Sequence, residues 1–428
     1  VDDALIDGVE NSQSFTDAEL QRIKTITQNT ADTIANDAVA LGSRLSDYAV
    51  SSHGQWDQYF KDLQAIQDLK LNDANQILKQ FLVSSHRISG DIQPTPEDQK
   101  KAMTLKAQDK PKTLDQSAEK PEPLKDVAIY QQEVTQFVAQ SAQQLQKNEQ
   151  KIQRGELKNG IRYALFPTTT RDDKTYATIS LDFGTEKSLF GKGVTLDLTS
   201  YLMLRGSEKH TLQEITDKAI AASGGASITS NGNGLTIGIQ AKKDKFEDFL
   251  NFIVDVMKQP KFAQSEFDLA KNQSLSALDR PYTEPAVVAS MTLARLLETY
   301  QPGDLRYHFE PEFAKQQLNA ATQAQVKQFY DQFFVTDHGQ VAVTGDFDPK
   351  KMQNTLQKAF GQWKTKQPYQ KIISPYVAFK AEKVHALSEQ REFGSYQSIL
   401  TIPVGAYHQD APALIILSHI MGNSQLSS

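Results

Sequence analysis

The sequence predicts an α+β fold in which helices flank a mainly antiparallel sheet. Between residues 155 and 365, hairpin patterns alternate with pairs of helical patterns. Asn159 and Gly160 suit the left-handed positions of a tight hairpin turn, and residues 231–234 join two runs of alternating residues. Capping boxes such as Thr211 with Glu214 mark helix starts.

The elements follow one another in a regular order. After the first hairpin, we predict a strand over residues 176–184 and a helix over residues 194–206. The helix capped by Thr211 ends at Gly224, and an amphipathic helix covers residues 246–257.

An internal repeat is the strongest organising signal. Residues 15–91 and 262–346 share an order of sequence features, with Lys-Gln-Phe at 79–81 and 327–329 and a closing Gly-Asp in both copies. Repeats of this length indicate duplicated structural units. Each copy reads as a helix, an irregular middle, a second helix and a strand.

The remaining segments are less regular. Residues 94–125 are rich in Pro, Lys, Asp and Gln and predict a linker, which a polar helix follows at about 130–150. After Gln367 the order restarts, with a strand predicted at 393–404 and an apolar helix at 410–423. We expect the end of one domain, one complete domain and the start of a third.

Composition excludes several classes of function. Lys and Arg number 46 against 52 Asp and Glu, which gives a net charge of -6 and no basic surplus to bind nucleic acid. The absence of Cys excludes disulfides, thiolate zinc sites and cysteine nucleophiles. No apolar run approaches the roughly 18–20 residues that span a bilayer. The start has no signal-peptide pattern, so we expect a cytosolic protein or a processed start.

Common catalytic motifs are missing. No two of the eight histidines are four residues apart, and a G-x-S-x-G motif is absent. The Gly-Lys-Gly at 191–193 and the run at 230–235 are turns by their spacing, not phosphate loops. Each histidine is expected to be structural or solvated: His53, His86, His210, His308, His338, His385, His408 and His419.

One set of motifs resembles a known family. The order L-x-N-G with alternating apolar residues at 157–167, a strand ending in Gly, and a helix closing on MLRGS at 203–207 resembles a domain of the pitrilysin/insulinase metallopeptidases. Active members carry H-x-x-E-H on that helix. Here Asp197 and Tyr201 stand at the histidine positions, and Ser200 stands at the glutamate position.

These departures predict a degenerate site. Zinc requires two neutral imidazoles one turn apart, and the attacking water requires a carboxylate base. The family's third ligand is a Glu, and residues 267–283 contain none. The resemblance therefore implies no catalytic residue, metal or cofactor in this chain, with the zinc in a catalytic domain that it lacks.

The resemblance also implies an organisation and a function. Residues 1–92 would be the end of a family domain, 93–154 the linker with its polar helix, 155–365 a complete inactive domain, and 366–428 the start of another. The chain would be the non-catalytic half of a zinc endopeptidase, forming the wall and hinge of a substrate chamber. Its partners would be the catalytic half of the same polypeptide and an unfolded peptide. A periplasmic location is expected from relatives.

Further expectations depend on this interpretation. Relatives bind substrate by edge pairing, so residues 176–184 are the expected contact strand. The family's substrate-contacting Arg and Tyr would lie beyond Ser428. Apolar faces such as that of Leu414 and Leu417 would be covered by contact between the two ends or by homodimerisation. The alternative is an autonomous scaffold, similar to the inactive core subunits of respiratory complexes.

Overall fold

A computed structural model describes residues 7–9, 11, 14–82, 126–279, 282–334, 338–361, 368–388 and 393–420. The chain divides into two compact units, Val1–Ile152 and Gln153–Ser428. The predicted linker at 94–125 and the closing strand of the first repeat copy lie outside the described residues.

The described part of the first unit contains helices. Thr16 forms the predicted capping box with Glu19, and Asp37 caps the next helix. The predicted polar helix at 130–150 is confirmed as the last of the following elements. They are α1 (Asp17–Ala35), α2 (Ala38–Ser51), α3 (Gln58–Asp68), α4 (Leu71–Phe81) and α5 (Val127–Lys151).

The second unit is built on a six-stranded sheet with the order β1-β2-β6-β3-β5-β4. Only the β2–β6 pair among these strands is parallel, so the predicted α+β fold with a mainly antiparallel sheet is confirmed. The strands are β1 (Gln153–Glu156), β2 (Arg162–Pro167), β3 (Lys174–Asp182), β4 (Gly225–Asn231), β5 (Gly234–Lys242) and β6 (Gly339–Gly345).

The register gives the sheet one apolar face. Ile179 of β3 lies between Val341 of β6 and Ile237 of β5, and all three side chains are buried. The neighbours of Ile179 along β3 are Thr178 and Ser180, and their side chains point to the opposite face because side chains alternate along a strand. The helices cover the apolar face, and the other face is polar.

Helices pack on the apolar face through large side chains. In the helix at 246–258, Phe249, Leu250 and Ile253 are almost fully buried, which stabilises the fold by roughly 1.5–3 kcal/mol for each side chain. The helices of this unit are α6 (Glu186–Leu189), α7 (Gly193–Leu202), α8 (Leu212–Ala221), α9 (Phe246–Lys258), α10 (Gln264–Leu278), α11 (Pro285–Leu296), α12 (Pro311–Ala320), α13 (Gln323–Phe333), α14 (Pro349–Phe360) and α15 (Ala411–His419).

The strand predicted at 393–404 is wrong. Residues 393–404 form no strand, although the helix predicted after them is present as α15. An alternating pattern becomes a strand only when a neighbouring strand accepts its backbone hydrogen bonds, and the described residues give this segment no such neighbour. Tyr396 and Leu400 are each 85% exposed as a result. Separately, none of the described helices is long and apolar enough to cross a membrane.

Candidate functional site

Helix α7 carries the three motif positions. It lies at the free β4 side of the sheet and also packs against α10, α12 and α13. Leu196, Leu198 and Leu202 are buried and hold it in place. Asp197, Ser200 and Tyr201 share little more than one turn of this helix, so their side chains decide what the site can do.

Asp197 is held by the edge strand. The Ser230 hydroxyl of β4 donates a hydrogen bond of 2.5 Å to Asp197 Oδ1. The carboxylate is open to solvent, but the surrounding protein removes part of its hydration. This desolvation raises the pKa of Asp197 above its ordinary value, and the Ser230 hydrogen bond opposes the rise.

Ser200 cannot replace the catalytic glutamate. Its side chain is buried, and its hydroxyl donates a hydrogen bond of 2.8 Å to the Asp197 carbonyl oxygen. A hydroxyl at this position has no charge to accept a proton from water near neutral pH. Its contact is with the helix backbone and serves local structure.

Tyr201 is directed to the protein surface. It is 45% exposed, and the Arg205 guanidinium lies 5.5 Å from the centre of its ring. Arg205 in turn forms an ion pair of 2.8 Å with Glu266 of α10. Glu266 lies one residue before residues 267–283, which contain no Glu, and its charge is already paired with Arg205.

The three side chains do not fit a zinc ion. Only Asp197 offers a common ligand atom, while Ser200 faces the backbone and Tyr201 stacks with Arg205. Within the part of the chain that the structure describes, no group of three or more His, Cys, Asp or Glu side chains could hold a metal ion. That the purified chain carries no metal stays a prediction.

The predicted contact strand is wrong. Residues 176–184 correspond to β3, which pairs with β5 on one side and β6 on the other, so both of its edges are already used. Among the described strands, the one with a free edge beside α7 is β4, which pairs with β5 and with no other described strand. The sequence order could not reveal this, because β6 returns from far along the chain to the middle of the sheet.

The free edge of β4 can be described residue by residue. Phe183 N donates to Asn233 O, so the odd-numbered residues of β5 bond to β3. Lys242 N donates to Ala222 O, so the even-numbered residues of β5 bond to β4. Three residues of β4 lie opposite odd-numbered residues of β5, so their backbone N–H and C=O groups point away from the sheet: Ala226, Ile228 and Ser230. An extended peptide could bind to these groups.

A cavity of about 250 Å³ lies beside this edge. We call it the α7 cavity, and Asp197 and Ser230 form one side of it. The opposite side is the segment from Gly303 to Gln317, which the sequence did not single out. Apolar side chains make up much of the lining on both sides: Val194, Leu196, Leu305, Phe309 and Phe313.

A network of charges fixes this opposite side. His308 contacts Glu298 through Nδ1 and Glu310 through Nε2, the second at 2.9 Å. Arg295 donates to Glu310 at 2.8 Å and lowers the pKa of Glu310 to about 2. Partial burial lowers the pKa of His308, but its hydrogen bonds to Glu298 and Glu310 raise it overall.

Arg306 connects the same segment to its surroundings. It forms ion pairs of 2.6 Å with Asp304 and 2.9 Å with Glu186. It also donates a hydrogen bond of 2.7 Å to the carbonyl oxygen of Ile373. The Asp304 hydrogen bond raises the pKa of Arg306, so the guanidinium is charged throughout the ordinary pH range. The signal available in the sequence was the density of charges in DLRYHFEPE, but spacing alone does not pair them.

Comparison with known proteins agrees with the sequence motifs. Residues 320–428 match the family model described as "Peptidase M16 inactive domain". This match confirms the predicted relationship to the M16, or pitrilysin-like, peptidases. The matched family is one of inactive domains, and no curated protein matches the chain.

Several solved structures are similar to about half of the chain. A peptidase M16 inactive domain from Pseudomonas fluorescens has 17% identity and a TM-score of 0.44, over 52% of this chain and 53% of that one. A protease from Helicobacter pylori has 17% identity and a TM-score of 0.43, over 52% of each chain. The periplasmic protease PqqL from Escherichia coli has 15% identity and a TM-score of 0.44, over 53% of this chain and 25% of PqqL. The chain thus matches about half of the first two proteins and a quarter of the third.

Proposed function

We propose that this chain is the non-catalytic half of a zinc-dependent endopeptidase, forming the wall and hinge of a substrate chamber opposite a catalytic domain outside this sequence. The observation that carries the proposal is the position of α7. The helix lies beside a free sheet edge, as a metal-binding helix would, but carries Asp197, Ser200 and Tyr201.

The organisation belongs to the same proposal. Residues 155–365 are the complete inactive domain, and residues 1–92 and 366–428 are portions of related domains. Residues 93–154 join the halves and include α5. The match of residues 320–428 to an inactive-domain family supports the inactive character that this plan gives to the chain.

The substrate in this proposal is an unfolded peptide that binds along β4. Edge pairing supplies backbone hydrogen bonds that do not depend on sequence, which suits an enzyme acting on varied chains. These bonds would come from the backbone groups of β4 that point away from the sheet, at Ala226, Ile228 and Ser230. The wall would hold the peptide while the catalytic domain cleaves it.

The test is to express the catalytic half separately and mix it with this chain. Cleavage of an unfolded peptide of about 20 residues should be strong only in the mixture. A catalytic half that is equally active alone would disprove the role of this chain as a required wall.

Two variants at one position then locate the contact. Ala226→Pro removes an outward-facing N–H, a change that an edge strand tolerates. Ala226→Val retains the N–H and is the matched control. The proline variant should lower cleavage in the mixture, and the valine variant should leave it near the wild-type level.

A further inference from the structure

The α7 cavity contains one carboxylate whose charge is not balanced. Of the acidic side chains that line it, Asp304 is paired with Arg306 and Glu310 with Arg295 and His308. Asp197 receives only the Ser230 hydrogen bond, and the described residues place no cationic group within ion-pair distance of it. A bound cation would supply the missing charge.

The shape of the cavity restricts the kind of cation. Apolar side chains such as Leu305 and Phe313 line it, and Asp197 lies among them. Lysine and arginine side chains have this combination, because an aliphatic stem carries a charged end group. The cavity volume of about 250 Å³ leaves room for one such side chain.

The edge strand directs a peptide side chain toward this position. Ser230 points to the α7 side of the sheet, since its hydroxyl reaches Asp197. A residue directly opposite Ser230 on an added strand would point to the same side, with its Cβ about 5 Å from that of Ser230. A lysine or arginine there is long enough to reach the Asp197 carboxylate.

The peptide residue opposite Ile228 would also point to the α7 side of the sheet, but a different kind of side chain would fit there. Ile228 lies two residues before Ser230, is half-buried, and points to the same face of the sheet. The peptide residue opposite Ile228 would contact an apolar surface. The two contacts together favour a basic residue and an apolar residue separated by one position.

We propose that the α7 cavity binds the lysine or arginine side chain of an extended peptide paired with β4, with Asp197 as its counter-ion. This inference rests on the edge pairing in the proposed function and adds a substrate class to it. The position where active relatives hold zinc would thus serve recognition of a basic side chain.

The test measures direct binding of peptides to the full chain. Two fluorescein-labelled peptides of nine residues differ only at the central position, which is lysine in one and norleucine in the other, and both carry leucine two residues away. We expect the lysine peptide to bind about fivefold more tightly by fluorescence anisotropy, the scale of a partly exposed ion pair. Equal affinities would overturn the inference.

Three variants assign the effect to Asp197. Asp197→Asn should abolish the preference for lysine and leave norleucine binding unchanged, while Asp197→Glu should retain much of it. Asp255→Asn makes the same change of charge at an exposed position of α9 and should preserve the preference. A preference that survives in Asp197→Asn would overturn the assignment, and circular dichroism verifies that each variant is folded.

Failure of this inference differs from failure of the proposed function. If both peptides bind equally and Ala226→Pro weakens both, the basic pocket is wrong and edge pairing stands. If neither peptide binds, the pocket and the β4 contact are both wrong. The mixing experiment reports separately on whether the chain is a required half of the peptidase.

Discussion

The two copies of the internal repeat have similar sequences but different surroundings. Both contain Lys-Gln-Phe in their last helix, yet Phe81 in α4 is 61% exposed and Phe329 in α13 is 3% exposed. Phe329 packs against Phe183 and Phe333, with ring centres 6.0 and 4.8 Å away. The described part of the first unit consists of helices and offers Phe81 no sheet to pack on. A repeated pattern therefore specifies helices, and burial depends on the sheet beneath them.

The largest effect that tests this comparison is the loss of an aromatic ring. Phe329→Ala should cost about 3–5 kcal/mol of unfolding free energy because it leaves a cavity in the core. Phe81→Ala should change stability by about 0.5 kcal/mol or less, as is usual for an exposed side chain. Hydrogen exchange followed by mass spectrometry on the full chain measures each region separately. Equal losses in the two variants would show that Phe81 is buried in solution.

The next effect concerns the Gly-Asp that closes each copy. Gly345 has a φ of +144°, and a Cβ there would lie 2.7 Å from the Cα of Thr175. Gly345→Ala should therefore cost about 1–3 kcal/mol. Gly225→Ala is the control, because an added Cβ meets nothing within 4 Å. Thermal unfolding compares the two, and a Gly345 variant as stable as the control would refute the close contact.

The comparison also separates what the sequence could predict from what it could not. Local signals were sufficient for the capping box at Thr211, the hairpin around Gly232 and the helix that carries Asp197. Gly232, with a φ of +52°, takes a turn position that favours glycine. Non-local pairing was not predictable, since no local pattern states that β6 lies between β2 and β3.

The same limit explains the errors at the site. The choice of residues 176–184 as the contact strand failed because β3 has two neighbours that are distant in sequence. The α7 cavity was missed because its second side lies more than 100 residues after Asp197. The identity of the residues at 197, 200 and 201 was enough to predict a degenerate motif, since that depends on side-chain chemistry alone.

A pH-dependent effect is expected from the charged network of His308 and Glu310, between α11 and α12 of the second copy. The raised pKa of His308 means that its contribution to stability is complete below the ordinary pKa of 6.5 and is lost as the pH rises through the folded-state value. The lowered pKa of Glu310 means that its contribution is present above 4.5 and is lost as the pH falls toward about 2. The network should therefore stabilise most between about pH 4.5 and 6.5.

His308→Gln tests this expectation. The variant should lower Tm by a few degrees near pH 5.5, roughly the effect of 1 kcal/mol, and the loss should shrink toward pH 8.5. His385→Gln, at an exposed position of the described chain, is the matched control and should show no such trend. A loss that stays constant across this pH range would mean that His308 acts through packing and not through charge.

The smallest effect concerns the first helix of each copy. Thr16 accepts a hydrogen bond from Glu19 N at 3.3 Å, and Glu19 accepts one from Thr16 N at 2.8 Å. The second copy has Ala263 at the N-cap, with no side-chain hydrogen bond, and its corresponding Glu266 binds Arg205 instead. In place of a capping box, the second copy thus has a contact with Arg205, in the turn that follows α7.

Substitutions at the two N-caps measure that exchange. Thr16→Ala should cost about 0.5–1 kcal/mol, seen as faster hydrogen exchange in the first turn of α1. Ala263→Ser should gain less than about 0.5 kcal/mol in α10, because a serine restores one hydrogen bond while Glu266 stays with Arg205. If Ala263→Ser stabilised α10 as much as Thr16→Ala destabilises α1, Glu266 would be free to complete the capping box. The ion pair of Arg205 with Glu266 would then contribute little to holding α7 in place. The two copies would differ in stability only through the sheet on which the second copy packs.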